Sequence, residues 1–166
     1  MRIHETNSGS SPVTVAQMEA NLRLPSGFDT ALITRLIAAA TSYAEKLTNI
    51  AMRAKTVKAS FLGTRSIYDL KYLVNAVTSV KVDGEDVDAA NYSVYKNSNP
   101  GYLVFENVEY EDDALIEIEY TVTATTDNEA LNEAVIAYAS ALYNNPEGLG
   151  QLDKRRFDSL FTTITQ

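Results

Sequence analysis

Hydrophobic positions recur at helical spacing through residues 29–49. At about 100° per residue, Leu32, Ile33, Leu36, Ile37, Ala40, Tyr43, Ala44 and Leu47 share one face. Thr34, Arg35, Thr41, Ser42, Glu45 and Lys46 fall on the other. This predicts an amphipathic helix with a broad apolar stripe. Ala38, Ala39, Ala40 and Ala44 leave little bulk, so another backbone can come close. Asp29 stands where an N-cap belongs, and its carboxylate is expected to accept from the first free amides. A shorter helix is predicted over residues 13–24. Thr14 and Gln17 match a capping box, and Val15, Met18 and Leu22 share a face. Pro25, Ser26 and Gly27 break the two apart.

The period then changes to two. Val57, Ala59 and Phe61 alternate with polar neighbours, and Gly63 interrupts them. Residues 77–82, 92–95 and 102–105 read as strands, with Asp83-Gly84 as a hairpin turn. The stretch around Ile67, Leu70, Tyr72 and Leu73 is extended or mixed. The clearest strand is 114–123: Ala114, Ile116, Ile118, Tyr120 and Val122 point one way, and Leu115, Glu117, Glu119, Thr121 and Thr123 the other. Connections this short favour an antiparallel module. Helical spacing returns over 128–144, with Asp127 as the expected cap and Leu131, Ala134, Val135, Tyr138, Ala139 and Leu142 as the main stripe. Ile136, Ala137, Ala141 and Tyr143 lie off that stripe, so the second half is apolar nearly all round. Such a helix needs cover on more than one side, which a second copy of the chain could supply. Pro146 and Gly148 end it.

Residues 149–166 form a last amphipathic segment. Leu149, Phe157, Leu160, Phe161 and Ile164 lie on one side, and Lys154, Arg155 and Arg156 are largely off it. It is expected to dock, on its own domain or on a partner. Residues 1–12, rich in Ser and Gly, read as a mobile arm. His4, the sole histidine, reads there as a bystander. The pattern predicts one α+β domain: arm 1–12, helices 13–50, β module 51–126, helix 127–148 and docking segment 149–166.

Composition narrows the chemistry. The chain has 166 residues, no cysteine and a net charge of −8, which argues against general attraction to nucleic-acid phosphates. Disulfides and thiolate zinc sites are excluded. No apolar run reaches membrane-spanning length, and residues 1–12 hold no apolar signal core, so synthesis in the cytosol is expected. Residues 81–119 hold 11 acidic and 2 basic residues, so one region carries the acidity. Its two clusters are Asp83, Glu85, Asp86 and Asp88, and Glu109, Glu111, Asp112 and Asp113. Calcium loops use such density, but the EF-hand spacing is absent, and solvated acids on turns are the plainer reading. Nothing marks an apolar pocket that would set up paired-carboxylate catalysis. A phosphate loop, a nucleophile elbow and a histidine for a triad are also missing, so no catalytic residue, metal site or cofactor is expected.

The order of features carries a resemblance. The stretch VTVAQMEANLRLPSGFDTALITRLIAAATSYAEKLTNIAM is similar to the start of tailed-phage head–tail connector proteins, also called adaptor or head-completion proteins. Shared features are a short helix ending in Leu-Arg, an acidic cap and a long helix ending in aromatic-x-Glu, here Tyr43, Ala44 and Glu45. ALNEAVIAYASALYNNPEG resembles the second signature, which ends here in Leu142, Tyr143, Asn144, Asn145, Pro146 and Glu147. The resemblance implies a structural virion neck protein without an active site. Such proteins form a ring, commonly of twelve, beneath the portal. The ring extends the DNA channel, lets DNA pass without specific binding, and presents a surface to the next neck or tail-completion protein. On that footing Ile136, Tyr138, Leu142, Tyr143, Ala40 and Tyr43 are expected at the subunit interface. Leu152, Arg155, Arg156, Phe157, Leu160 and Phe161 are expected to dock on the portal. Asp83, Glu85, Asp86, Glu109, Glu111, Asp112 and Asp113 are expected to face the lumen or the tail side. Two other readings stay open: a cytosolic binding module whose acidic surface recognises a basic partner, and a hydrolase using acids and a divalent metal.

Overall fold

A computed structural model describes residues 1–164 except 64, 66, 99, 107–110 and 126–127, and leaves the Leu152 side chain undescribed. The chain divides into two compact units, Met1–Gly9 with Arg53–Ala124, and Ser10–Met52 with Thr125–Gln166. The architecture is α+β, as the alternating periods predict.

The second unit is helical: α1 Val15–Leu22, α2 Thr30–Thr48, α3 Glu129–Asn144 and α4 Gln151–Ile164. The capping box forms at α1, where Thr14 Oγ1 accepts from Gln17 N at 3.3 Å and Gln17 Oε1 accepts from Thr14 N at 2.8 Å. Arg23 turns left-handed (φ 56°) to close α1. Glu19 is buried, and its Oε1 accepts from Gly27 N at 2.7 Å, which pins the break. Asp29 occupies the N-cap of α2, yet its side chain makes no capping bond. Its ψ of 44° lies far from the extended value of 159° that turns the Thr14 side chain back onto its helix. At α3 the cap is Asn128, whose Oδ1 accepts from Leu131 N at 3.0 Å; Asp127, the expected cap, lies outside the described residues.

Ile33, Ile37, Ala40 and Ala44 of α2 and Leu131, Ala134, Val135 and Ala139 of α3 share one core, joined by Met18 and Phe161. Two residues placed on the polar side of α2 are buried with them. Thr41 donates to Ile37 O at 2.7 Å and contacts Ser11 Oγ at 3.1 Å. Glu45 Oε1 accepts from Met52 N at 2.9 Å. A helical wheel misses such residues because it reads polarity and not hydrogen bonding.

Among the described residues the first unit is an antiparallel β structure of eight strands: β1 Arg2–Asn7, β2 Lys55–Leu62, β3 Ile67–Asp69, β4 Ala76–Val82, β5 Glu85–Asp86, β6 Tyr92–Tyr95, β7 Tyr102–Phe105 and β8 Leu115–Val122. One sheet runs β1-β2-β8-β4-β5 and the other β3-β7-β6. β8 is central, with Ile116, Ile118, Tyr120 and Val122 inward as predicted. Phe61 and Phe105 meet the Tyr68 ring edge to face, joining the sheets. Asp83 and Gly84 both take positive φ (50° and 87°), the geometry of a tight hairpin turn.

Residues 2–7 are not a mobile arm. They form edge strand β1, in register with β2 from Arg2↔Ser60 to Asn7↔Lys55. Glu5 is what hides this strand in the sequence, because it occupies an inward position where alternation demands an apolar residue. Its carboxylate meets Lys55 Nζ at 3.2 Å, Lys71 Nζ at 2.7 Å and the Tyr72 hydroxyl at 3.2 Å. Both ammonium groups also lie over the Tyr72 ring, at 4.6 and 4.7 Å. Tyr72 itself is held at φ 69°, a left-handed conformation that costs about 1–3 kcal/mol in a non-glycine residue. Tyr120 fixes the neighbouring backbone, accepting from Lys71 N and donating to Lys71 O, both at 2.9 Å.

Burial alone would raise the Glu5 carboxyl. The Lys71 hydrogen bond, with the charge and bond of Lys55, outweighs it and holds the group below its ordinary 4.5. The stability this contributes is fully present above pH 4.5 and is lost as pH falls through the lower folded value. Glu5→Gln takes the carboxylate away from the buried Lys55 and from Lys71 and is expected to cost about 3 kcal/mol. Thermal melts against pH check this: the wild-type protein loses stability below pH 4.5, and the variant lacks that component.

Candidate assembly surfaces

Tyr43 of α2 and Tyr138 of α3 stack in parallel, ring centroids 4.7 Å apart. Phe157 and Phe161 of α4 meet Tyr138 edge to face at 5.0 and 6.2 Å, and Phe161 also meets Tyr43 at 6.1 Å. The Tyr43 hydroxyl donates to Asp158 Oδ1, tying α4 to α2. This bond is the first cause that raises the Tyr43 phenol from 10.0 to about 12, followed by burial and the Asp158 charge. Burial, then the Asp158 charge, raises Tyr138 as well.

The expected interface residues have these places within the chain. Ile136, Tyr138 and Ala40 are buried within their own helical unit, where α1, α2 and α4 pack on α3. No second copy is needed to cover them. Tyr43, Leu142 and Tyr143 are half-buried against the same core. The expected portal-docking residues divide likewise. Phe161 is fully buried and Phe157 half-buried in the chain's own core, whereas Arg155, Arg156 and Leu160 are exposed. The Leu152 side chain lies outside the described residues. Within 149–164, Leu149, Phe157, Phe161 and Ile164 pack on the chain's own helical unit, while Arg155, Arg156 and Leu160 are exposed.

The acidic clusters, separate in sequence, come to one end of the five-stranded sheet. Asp83 N donates to Leu115 O at 2.9 Å and Asp83 Oδ1 accepts from Leu115 N at 2.8 Å, which seats the β4–β5 turn beside the start of β8. Asp83, Glu85, Asp86, Glu111, Asp112 and Asp113 are exposed there, and Glu109 lies outside the described residues. Lys81 approaches Asp86 at 3.5 Å. Among the described residues no group of three His, Asp or Glu side chains is placed to hold a metal ion. Among the described residues no helix is long and apolar enough to cross a membrane.

The profile of the head completion protein family matches residues 13–140. The chain belongs to this family. The matched span runs from the cap of α1 through the β strands to most of α3, and leaves out β1 and α4. Three solved chains have similar folds. One is in the virion of a native gene transfer agent particle, with TM-score 0.67, 18% identity and 84% of each chain covered. The second is in the neck of an empty particle of the same kind, computed with C6 symmetry, with TM-score 0.67, 18% identity and coverage of 87% of this chain and 84% of that one. The third is in the neck of a native particle computed with C12 symmetry, with TM-score 0.69, 16% identity and the same coverage. No curated protein matches the sequence.

The family signatures have a physical meaning in this fold. In Tyr43-Ala44-Glu45 the tyrosine builds the aromatic stack, the alanine lets α3 approach, and the glutamate holds the turn at Met52. Leu-Arg at 22–23 places Arg23 in the left-handed cap, where Leu24 N reaches Glu19 O at 2.9 Å. Sequence reasoning missed Asp158, Glu5 and Leu62. Asp158 falls between apolar positions of α4, and Leu62 sits at an outward strand position otherwise kept polar.

Phe161→Ala removes the keystone of the α4 contact and is expected to cost about 3–5 kcal/mol and to open residues 150–164 to protease. Limited proteolysis followed by intact mass checks it. Tyr43→Phe keeps the stack and loses the Asp158 bond, at about 1 kcal/mol. In the wild-type protein the Tyr43 contribution is fully present below pH 10 and lost as pH rises through about 12. The variant lacks the Tyr43 part of this alkaline dependence, read by the same proteolysis assay across pH.

Proposed function

We propose that this chain is a structural protein of a virion neck, many copies of which close into a ring that carries the DNA channel and joins head to tail. The observation that carries this reading is membership of the head completion family over residues 13–140. The fold likeness to chains in particle necks of C6 and C12 symmetry supports a ring, with twelve subunits as the leading stoichiometry. The portal protein on one side and the next neck or tail-completion protein on the other are the proposed partners. DNA passes through without specific binding, and the negative charge of residues 81–119 supports this, because like charge repels phosphate. The role is one of assembly and not of catalysis.

Deleting the gene from the particle that encodes it is expected to leave heads that package DNA but lack tails, counted by negative-stain microscopy. Supplying the protein in trans restores joining. Fully tailed particles from the deletion strain would contradict the reading.

A further inference from the structure

Leu62 and Leu115 are register partners across β2 and β8, both on the outward face of the five-stranded sheet. They are 72% and 41% exposed. The other outward positions of these strands are polar: Thr56, Lys58 and Ser60 on β2, and Glu117, Glu119 and Thr121 on β8. Two adjacent leucines that break this pattern at a sheet end, unpacked by their own chain, are the anatomy of a protein contact. A surface facing passing DNA has no use for them. Their rim is acidic, with Asp83 bonded to Leu115 N, Asp113 two residues before it and Glu117 two residues after it.

A surface of opposite character exists on the helical unit. Between α3 and α4 lies an open groove of about 520 Å³, lined by Ala137, Arg156, Phe157, Ser159, Leu160 and Thr163. The lining is largely apolar and includes the exposed Arg156, which the exposed Lys154 and Arg155 precede in the chain. The groove is built by the α4 face that remains after Phe161 is buried.

We propose that the acid-rimmed leucine pair of one copy docks in the basic-rimmed α3–α4 groove of the next copy. This rests on the ring reading and names the contact that propagates it. The acidic patch repels its own copy across a two-fold axis, so an isologous contact is disfavoured. Knob and groove differ in charge and lie at different places on the chain. Paired head to tail they make a heterologous contact that repeats from copy to copy until it closes, whereas reciprocal pairing would stop at a dimer and give no ladder. The assignment gives Arg155, Arg156 and Leu160 to a neighbouring subunit and not to the portal.

The cysteine-free chain allows a direct test by disulfide trapping. Leu62→Cys and Leu160→Cys are made separately at exposed positions, mixed at the highest soluble concentration under mild oxidation, and analysed by non-reducing gel and intact mass. The expected product is the Leu62→Cys/Leu160→Cys heterodimer, formed well above a control pairing of Leu62→Cys with Arg35→Cys on α2. A chain carrying both substitutions gives a ladder of multimers. Arg155→Glu with Arg156→Glu suppresses the ladder, and adding Asp113→Lys with Glu117→Lys restores it. Cross-linking only between Leu62→Cys copies, or none above the control, overturns the proposal. It would leave the groove to the portal and the leucine pair to a tail-side protein. The deletion phenotype is independent of this result, so failure of the contact and failure of the neck reading are separately visible.

Discussion

Two helices far apart in sequence have to meet. The apolar face of α2, with Ile33, Ile37, Ala40 and Ala44, has nothing to bury it until α3 arrives with Leu131, Val135 and Ala139. Small residues at the contact set how closely the backbones approach, and each helix alone would be marginal in water. Everything else in the helical unit follows from this contact. α1 closes one side of the pair, and α4 closes another through the Tyr43–Tyr138 stack and Phe161. Residues 53–124, which lie between α2 and α3 in sequence, are thereby free to fold as a unit with their own core.

That β unit shows how a charged group can hold an edge. β1 is six residues long and has one hydrogen-bonded neighbour among the described strands. An apolar residue at position 5 would pack, but it would not fix register against a strand as plain as β2. Glu5 between Lys55 and Lys71 does, because a one-residue slip would carry its carboxylate away from both ammonium groups. The inward charge also makes the exposed edge a poor template for further strands.

The helices and most strands were legible in the sequence because their periods are clean. The capping box at Thr14, the Asp83-Gly84 turn and the alternation of 114–123 each correspond to a feature of the fold. What escaped was wherever a polar residue faces inward or an apolar one outward. Glu5 concealed a strand, Glu45 and Thr41 sat on the wrong side of a wheel, and Leu62 fell outside the alternation of Val57, Ala59 and Phe61. The near-complete apolarity of α3 suggested an unfilled side, and α4, read as an amphipathic segment that could dock on its own domain or on a partner, supplies cover through two phenylalanines. Hydrogen-bond partners and long-range neighbours decide such positions, and neither is local in sequence. The family was legible because its signatures sit at helix ends, where backbone geometry restricts residue choice.

As a component of a neck, the molecule presents two unlike units: an aromatic-clamped helical bundle with a basic groove, and a β sandwich whose acids gather at one end. The unlike surfaces suit the proposed role, in which each copy touches its neighbours in a ring and a different protein on either side. A cryo-EM reconstruction of the neck in the intact particle tests this most directly. The account predicts a closed ring of this chain around the DNA path, with bundle and sandwich recognisable in every subunit. A neck density that excludes this chain, or that holds it as isolated copies off the channel axis, would contradict it.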